Sequence, residues 1–496
     1  MTPKFKLQPL SDWFIGLPFL IPFLGMVLIS FDSGTLRAGT TPFTIAFFLI
    51  SFASFILVLV FSERRPNLIR WEVMWGVAIV ARLLLLFTIP SLSDDVYRYL
   101  WDGHVANSGV SPYALPIESA ELDYLEIPVR ALANNTWMAS PYMPTAQWIF
   151  RGLNWIAPVS PLSMQITMVV FELGAAFFAA KLLAAAGYPS NRLLLILWNP
   201  LFIVEVAHSA HIDAWMILLM LSGIWFAIPL VPAKGAGNAS RETGQITTSS
   251  LRLLLSPILI AFATLTKILP VLILPVLFWY WNWRQRFMYG ILSVGLLIPA
   301  GLRAGWGLVG PLDGTGLFGA LRIYNDRWKF NSGLFFWVTR WLNDGDGYSP
   351  SPADGQVKLV VLLIMLIVLL VVWYFAYLAY QRQDVRSSIR LMTLPLMAYL
   401  LLTHTVHPWY ALILLIFLPF LAPAQDENKY YWLITAPWIY LSGGLIFSYL
   451  TYLNPDDFRE LARVRNLEWI PTLVLLAIGF AAWLTVLRIK NDETIR

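Results

Sequence analysis

SLSDDVYRYLWDGHVANSGVSPY, residues 91–113, sets three carboxylates, an arginine, a histidine and four aromatics in one short run directly after an apolar stretch. Ser93 can cap a helix whose first turn holds Asp94 and Asp95, where the helix dipole favours negative charge. The pattern predicts a helix to about Asn107, ended by Ser108-Gly109, with Asp95, Arg98 or Tyr99, and Asp102 along one face. On a soluble protein this segment would read as a solvated cap. Its Asp94–Arg98 and Arg98–Asp102 pairs would be ordinary i,i+4 partners of little energetic weight. The flanking sequence is not that of a soluble protein.

Of 496 residues, 58% are hydrophobic and 13% are charged, and the mean hydropathy is +0.66. That composition implies an all-α polytopic membrane protein. Apolar runs cover about 12–31, 41–61 and 71–90 before the opening stretch. After it come 161–183, 193–230, 253–281, 287–303, 357–380, 391–421, 430–452 and 468–488. Read with the longest runs split, they amount to roughly 13 or 14 crossings of a single domain, 1–496. Lys4, Lys6, Arg64, Arg65 and Arg70 flank the first two runs, and the first run reads as a retained span rather than a cleaved signal. The positive-inside rule then puts the 91–160 loop outside, with 303–356 as a second external loop. Within the first loop, residues 118–134 are expected to form an amphipathic interfacial helix kinked or split at Pro128. The polar stretch 234–250 reads as a flexible cytoplasmic linker. No clustered basic face suggests nucleic acid. The lack of cysteine excludes thiol catalysis, thiolate metal sites and disulfides.

Three long apolar runs are interrupted by polar residues: AHSAHID (207–213), TKILP (266–270) and THTVHPWY (403–410). A membrane tolerates such breaks only where protein or a water-filled cavity satisfies the freed backbone groups. Reading all three as hairpins gathers the breaks on the side of the 91–160 loop. A single tilted helix over 253–281 would instead invert everything after it. All five histidines, His104, His208, His211, His404 and His407, fall in the opening stretch or in these breaks. Hydrogen bonding to a sugar or phosphate suits them. So does zinc held by His208, His211 and Asp213 with His404 and His407. Lys267 and Asp213 are ionisable groups at membrane depth, which default to functional candidates, while Glu172 and Glu205 are expected to bond between helices. Residues 313–341 interleave Arg322, Arg327 and Lys329 with Tyr324, Trp328 and Phe330, a mixture suited to a phosphate and a sugar ring, or to an interfacial belt. Trp148, Trp409 and Tyr410 call for nothing beyond that belt.

Acids at the rim of a membrane cavity, with cations and aromatics opposite, match a sugar carried on a lipid phosphate. One carboxylate would take the acceptor's proton, cations would hold the leaving phosphate, and a single displacement would invert the anomeric centre.

The 93–113 segment also resembles the first external loop of bacterial GT-C glycosyltransferases of the polyprenyl-phosphate-dependent type. These are related to glycosyltransferase family 87 and to the actinobacterial α-mannopyranosyltransferases. The likeness continues through SPYMPTAQ (140–147), WNPLFIVEVAHSAHIDAW (198–215), TKILPVLILP (266–275), LRIYNDRWKFNSGLF (321–335) and HPWYALILLIFLP (407–419). Tyr142-Met143-Pro144 stands where the family usually reads Tyr-Pro-Pro. The resemblance implies a GT-C-type transmembrane bundle moving a sugar, most often mannose, from a polyprenyl-phosphate carrier to a glycan or glycolipid acceptor at the external face. It ranks Asp95 first and Asp94 second as the catalytic base. Asp102, Arg98, Tyr97, His104, His211, Asp213, Lys267, Arg322, Tyr324, Trp328, Asn331 and His407 are the expected substrate-binding residues. No resident cofactor is expected, and a divalent metal is left open. The competing reading, a transporter or flippase of a lipid-linked glycan, predicts an internal inverted repeat, and none is evident. A membrane O-acyltransferase would suit the buried histidines, but not the aspartate-rich first loop.

Overall fold

The computed structural model describes residues 10–37, 39–65, 68–228, 250–310, 312–342, 351–453 and 461–495; the 234–250 linker lies outside them apart from Ser250. The chain is 75% helical and, among the described residues, has no strand. Among the described residues, eight helices are long and apolar enough to cross a membrane: Trp13–Ser33, Thr41–Arg64, Pro161–Ala185, Trp283–Ala304, Pro352–Gln381, Val385–Leu402, Tyr431–Leu453 and Ala462–Thr485. A ninth candidate is the pair Ser190–Leu197 and Pro200–His208, bent by 50° where Asn199-Pro200 interrupts it. Asp213–Ala227, Leu254–Thr264 and Leu269–Tyr280 are shorter apolar helices. Several of the roughly 13 or 14 passages counted along the sequence are therefore helices too short to cross alone.

The first elements are α1 (Leu17–Ser33), α2 (Thr41–Arg64), α3 (Trp71–Leu85), α4 (Asp95–Asn107), α5 (Pro144–Ile156) and α6 (Pro161–Ala185). Helix α4 has the expected extent and stops before Gly109, whose φ of +87° suits a residue without a side chain. Its start differs in detail. Asp94, not Ser93, occupies the capping position, and the Ser93 Oγ instead accepts the Asp95 amide at 3.3 Å. Gly103 lets α4 lie directly on α5, because a Cβ there would run into the Phe150 carbonyl and the Asn154 side chain.

The amphipathic helix expected over 118–134 is not an α-helix. Pro128 removes a donor at its centre, and two 3-10 turns form instead, Ala120–Leu125 and Arg130–Leu132. Of the segment's apolar residues, Leu122, Leu125 and Val129 are buried, Ile127 is half-buried and Leu132 is exposed.

The breaks at 207–213, 266–270 and 403–410 are all present, and protein satisfies each one. Gln165 on α6 donates to the carbonyls of Thr88, Ala207 and His208 at 3.1, 2.9 and 3.1 Å. At the second break, Thr145 N donates to Leu265 O at 3.0 Å and Thr145 Oγ1 to Phe262 O at 2.7 Å. At the third, Phe330 exchanges backbone bonds with His404 O and Val406 N at 3.3 and 2.8 Å. The segments beside the first and third breaks are apolar all round and sit at the centre of the bundle. Residues 193–197, 200–208 and 411–422 are buried throughout. Glu172 pairs in bidentate fashion with Arg82, tying α3 to α6, and Arg82 Nη1 also reaches Leu197 O at 3.0 Å.

Candidate active site

The second and third breaks and the start of α4 line a cavity of about 890 Å³, with the first break packed behind it. Two carboxylates line it, Asp94 and Asp95. Their order at the start of a helix turns them in different directions. The Asp94 carboxylate faces Arg37, in the loop between α1 and α2, at 3.0 Å, and Arg37 lies over the Tyr452 ring at 4.0 Å. Asp95 Oδ1 accepts a hydrogen bond from Asn134 Nδ2 at 2.7 Å. Among the described residues no Lys or Arg nitrogen lies within salt-bridge distance of Asp95. The nearest basic group is His211 Nδ1, at 3.7 Å from its Oδ2. The Asp95 side chain is only 16% exposed. Burial raises its pKa, the Asn134 bond and the Lys267 charge oppose that shift, and the charges of Asp94 and Asp213 add to it.

The other walls carry cations and rings. Lys267 Nζ donates to Asp213 Oδ2 at 2.6 Å and lies 5.3 Å from the centre of the Tyr410 ring. Lys329, also on the wall, pairs with Asp354 at 2.6 Å. The Tyr324 and Tyr410 hydroxyls are bonded to each other. Four rings from three separate segments form a column. His211 stacks on Trp409 at 4.0 Å, Trp409 on His407 at 4.6 Å, and His407 on Phe330 at 4.6 Å. A carboxylate without a cation can take a proton here, close to amine and guanidinium groups able to hold an anion.

Of the residues singled out from sequence, Asp94, Asp95, Lys267, Tyr324, Trp328 and His407 line this one cavity. His211 and Asp213 stand directly behind Asp95 and Lys267. The others have partners elsewhere. Arg98 and Asp102 pair at 3.1 Å and are 1% and 2% exposed, with Asp102 held further by Ser140 and Gln147. Tyr97 donates to Pro90 O, His104 bonds Leu125 O, Arg322 donates to Gly310 O, and Asn331 donates to Glu468. His208 is bonded to Thr88 at 2.6 Å and accepts the Ser91 amide at 3.2 Å. Among the described residues no cluster of three or more His, Asp or Glu could hold a metal ion, so the zinc arrangement does not assemble.

Trp409 and Tyr410 are not belt residues: Trp409 joins the ring column and Tyr410 the cavity wall. Sequence reasoning also missed Arg37, Asn134 and Tyr452. Arg37 carried one usable signal, being a basic residue in the short loop that the positive-inside rule assigns away from the basic side. Asn134 and Tyr452 carried none, because their place depends on chain segments far apart in sequence.

The profile of the alpha-(1->6)-mannopyranosyltransferase N-terminal domain matches residues 25–283. That region supplies Arg37, Asp94, Asp95, Asn134 and Lys267 to the cavity. A probable alpha-(1->6)-mannopyranosyltransferase of Mycolicibacterium smegmatis is 28% identical over 291 residues, covering 52% of this chain and 48% of the relative. An alpha-(1->6)-mannopyranosyltransferase of Mycobacterium tuberculosis is 28% identical over 179 residues, covering 34% of this chain and 30% of that one. The chain thus spans half or less of the length of these curated relatives. No solved structure matches.

Proposed function

The chain belongs to the alpha-(1->6)-mannopyranosyltransferase family, and from that premise we propose that it transfers mannose from a polyprenyl-phosphate carrier to a glycan or glycolipid hydroxyl, with Asp95 as the base. The observation that carries this reading is the difference between the two cavity carboxylates. Asp94 is neutralised by Arg37, while Asp95 meets only the neutral Asn134 amide and a histidine. A carboxylate tied to a guanidinium is a poor proton acceptor, and a half-buried one without a cation is a better one.

In the proposed step Asp95 takes the proton of the acceptor hydroxyl as that oxygen bonds to the anomeric carbon. The bond from that carbon to the phosphate oxygen breaks, and the phosphate leaves with the electron pair, next to Lys267 and Lys329. Those cations stabilise charge where it develops. An α-linked product formed with inversion requires mannose to be β-linked to the phosphate. Tyr324, Trp328 and His407 offer ring faces and hydrogen bonds to the sugar, and Arg37 with Asp94 offers charged partners to its hydroxyls. The basic residues around the first two spans support a cavity that opens away from the cytoplasm, on the external side of a plasma membrane.

The test is transfer of radiolabelled mannose from polyprenyl-phosphate-mannose to a cell lipid extract by the purified protein in nanodiscs. Asp95→Asn is expected to lower turnover by roughly 10²–10⁴-fold while donor binding persists. Turnover that survives Asp95→Asn moves the base elsewhere. Donor translocation across vesicles by wild type, without any transfer, replaces the transferase reading with the flippase one.

A further inference from the structure

Asn134 is held by α4 through both its side chain and its main chain. Its Nδ2 donates to Asp95 Oδ1 at 2.7 Å, and its carbonyl accepts from Arg98 Nη1 at 3.3 Å. Asp95 and Arg98 stand one turn apart on α4 and share a face of it. The same guanidinium reaches two further carbonyls, Asn135 O from Nη1 at 3.2 Å and Met138 O from Nη2 at 3.0 Å, while its Nε donates to Asp102 at 3.1 Å. Arg98 is 1% exposed and does not line the cavity, so its donors act on the chain rather than on a ligand. The segment it grips runs irregularly along the cavity, which Asn134, Asn135 and Met138 do line. Asn135 has a left-handed φ of +49°, a conformation kept where the surroundings fix it. Other bonds hold the segment from its far side. Glu118 N donates to Thr136 O at 3.0 Å, Ala139 N to Asp313 O at 3.2 Å and Ser140 N to Pro112 O at 3.0 Å. This wall is strapped down along its length.

The chemistry at Asp95 gives the Asn134 amide a task. A carboxylate only accepts, so the amide must turn its nitrogen toward Oδ1. Among the described residues Oδ2 accepts no hydrogen bond, and its nearest basic atom is His211 Nδ1 at 3.7 Å. A proton arriving on Oδ2 leaves Oδ1 as a carbonyl oxygen, which still accepts from Asn134. A proton arriving on Oδ1 would compete with that donor for the same oxygen. The bond therefore favours transfer to Oδ2, and it holds the carboxylate plane while the transfer occurs.

We propose that Asn134 is the positioning residue of the base, holding Asp95 Oδ1 so that Oδ2 takes the acceptor's proton, and that Arg98 sets its place by clamping the main chain of the same residue. This rests on the reading of Asp95 as the base. Neither Asn134 nor Arg98 exchanges a proton. The charged and titratable groups facing Asp95 are Asp94 with its partner Arg37, the Arg98–Asp102 pair one turn along α4, Lys267 with Asp213, His211 with Glu205 behind it, and His407 on the cavity wall. The phenols around it, Tyr99, Tyr142, Tyr324 and Tyr410, do not ionise in the acidic range. Apart from Asp95 and Arg98, none of these groups bonds Asn134, so its replacement leaves them in place.

Asn134→Leu removes the bond at nearly constant volume. The bond favours the charged form of Asp95, so without it the acid limb of the mannose-transfer pH profile is expected to move up by about one pH unit. Above that limb Asp95 is charged but no longer held. Turnover there is expected to fall about 10-fold, with the KM of donor and acceptor unchanged. Arg98→Lys keeps the charge beside Asp102 but cannot reach three carbonyls at once. It is expected to move the limb the same way. Asn134→Leu/Arg98→Lys is expected to move it no further than Asn134→Leu alone, since Arg98 acts on Asp95 through Asn134. A limb left in place in Asn134→Leu overturns the proposal, whether turnover holds or falls. So does a rise in KM without a shift of the limb, because Asn134 would then be touching substrate. Shifts that add in the double variant overturn the clamp. Asp95→Asn separates these outcomes from the base assignment. If that variant keeps its turnover, the base assignment fails and the proposal with it; if it is inactive while Asn134→Leu matches wild type, the role of Asn134 alone is refuted.

Discussion

Lys267→Met separates what the second break contributes to stability from what it contributes to chemistry. Asp213 is 1% exposed, its Oδ2 accepts from Lys267 at 2.6 Å, and its Oδ1 has no hydrogen-bond partner. Methionine fills the lysine stem's place but leaves that carboxylate alone. An uncompensated buried charge costs about 3–5 kcal/mol. The protein has one escape, which is to protonate Asp213. From an ordinary Asp pKa near 3.9, holding that proton at pH 7 costs about 4 kcal/mol, and at pH 5 about 1.5 kcal/mol. The cheaper route sets the penalty. Lys267→Met is therefore expected to lower the unfolding free energy by about 3–4 kcal/mol at pH 7 and about 1.5 kcal/mol at pH 5. The sign follows from proton counting. Between those pH values the folded variant holds one proton more than its unfolded chain, so its deficit against wild type grows as pH rises. Equilibrium unfolding in detergent at the two pH values measures this. Lys267→Met/Asp213→Asn should remove the pH dependence. A deficit equal at both pH values, or a double variant no better than the single one, would mean that cavity water already solvates Asp213, and the argument from burial would fall.

Asp102→Asn is expected to act on stability and not on acceptor affinity. It leaves Arg98 buried with the Asn134, Asn135 and Met138 carbonyls but without its anion, so a loss of about 3 kcal/mol or more is expected in the same unfolding measurement. A rise in acceptor KM at unchanged stability would return Asp102 to the binding site. Wild-type turnover should rise with pH through the Asp95 pKa, because only the carboxylate accepts a proton. Burial places that acid limb above the ordinary Asp value near 3.9. A kcat/KM profile with its limb in the ordinary range would show that water reaches Asp95 more freely than its exposure implies.

What could be read from the sequence divides along a physical line. Helix α4 was legible to its last residue because its causes are local: acids in the first turn, and a glycine that alone accepts the left-handed exit. The three breaks were legible because polar residues inside apolar runs must be satisfied by something, and membrane depth leaves few options. The partners that satisfy them were not. Gln165 serving Ala207, or Phe330 serving His404, depends on segments tens of residues apart, which no periodicity encodes. The same limit governs the acids. Asp94, Asp95 and Asp102 look alike within the helix, and the i,i+4 rule would pair both Asp94 and Asp102 with Arg98. Only Asp102 takes it, since Arg37, from another loop, claims Asp94. With two of three acids held by arginines, the third is left with proton affinity to spare. The residue best placed for chemistry is thus fixed by where two arginines go, and one of those arginines lies more than fifty residues upstream of the helix it disarms.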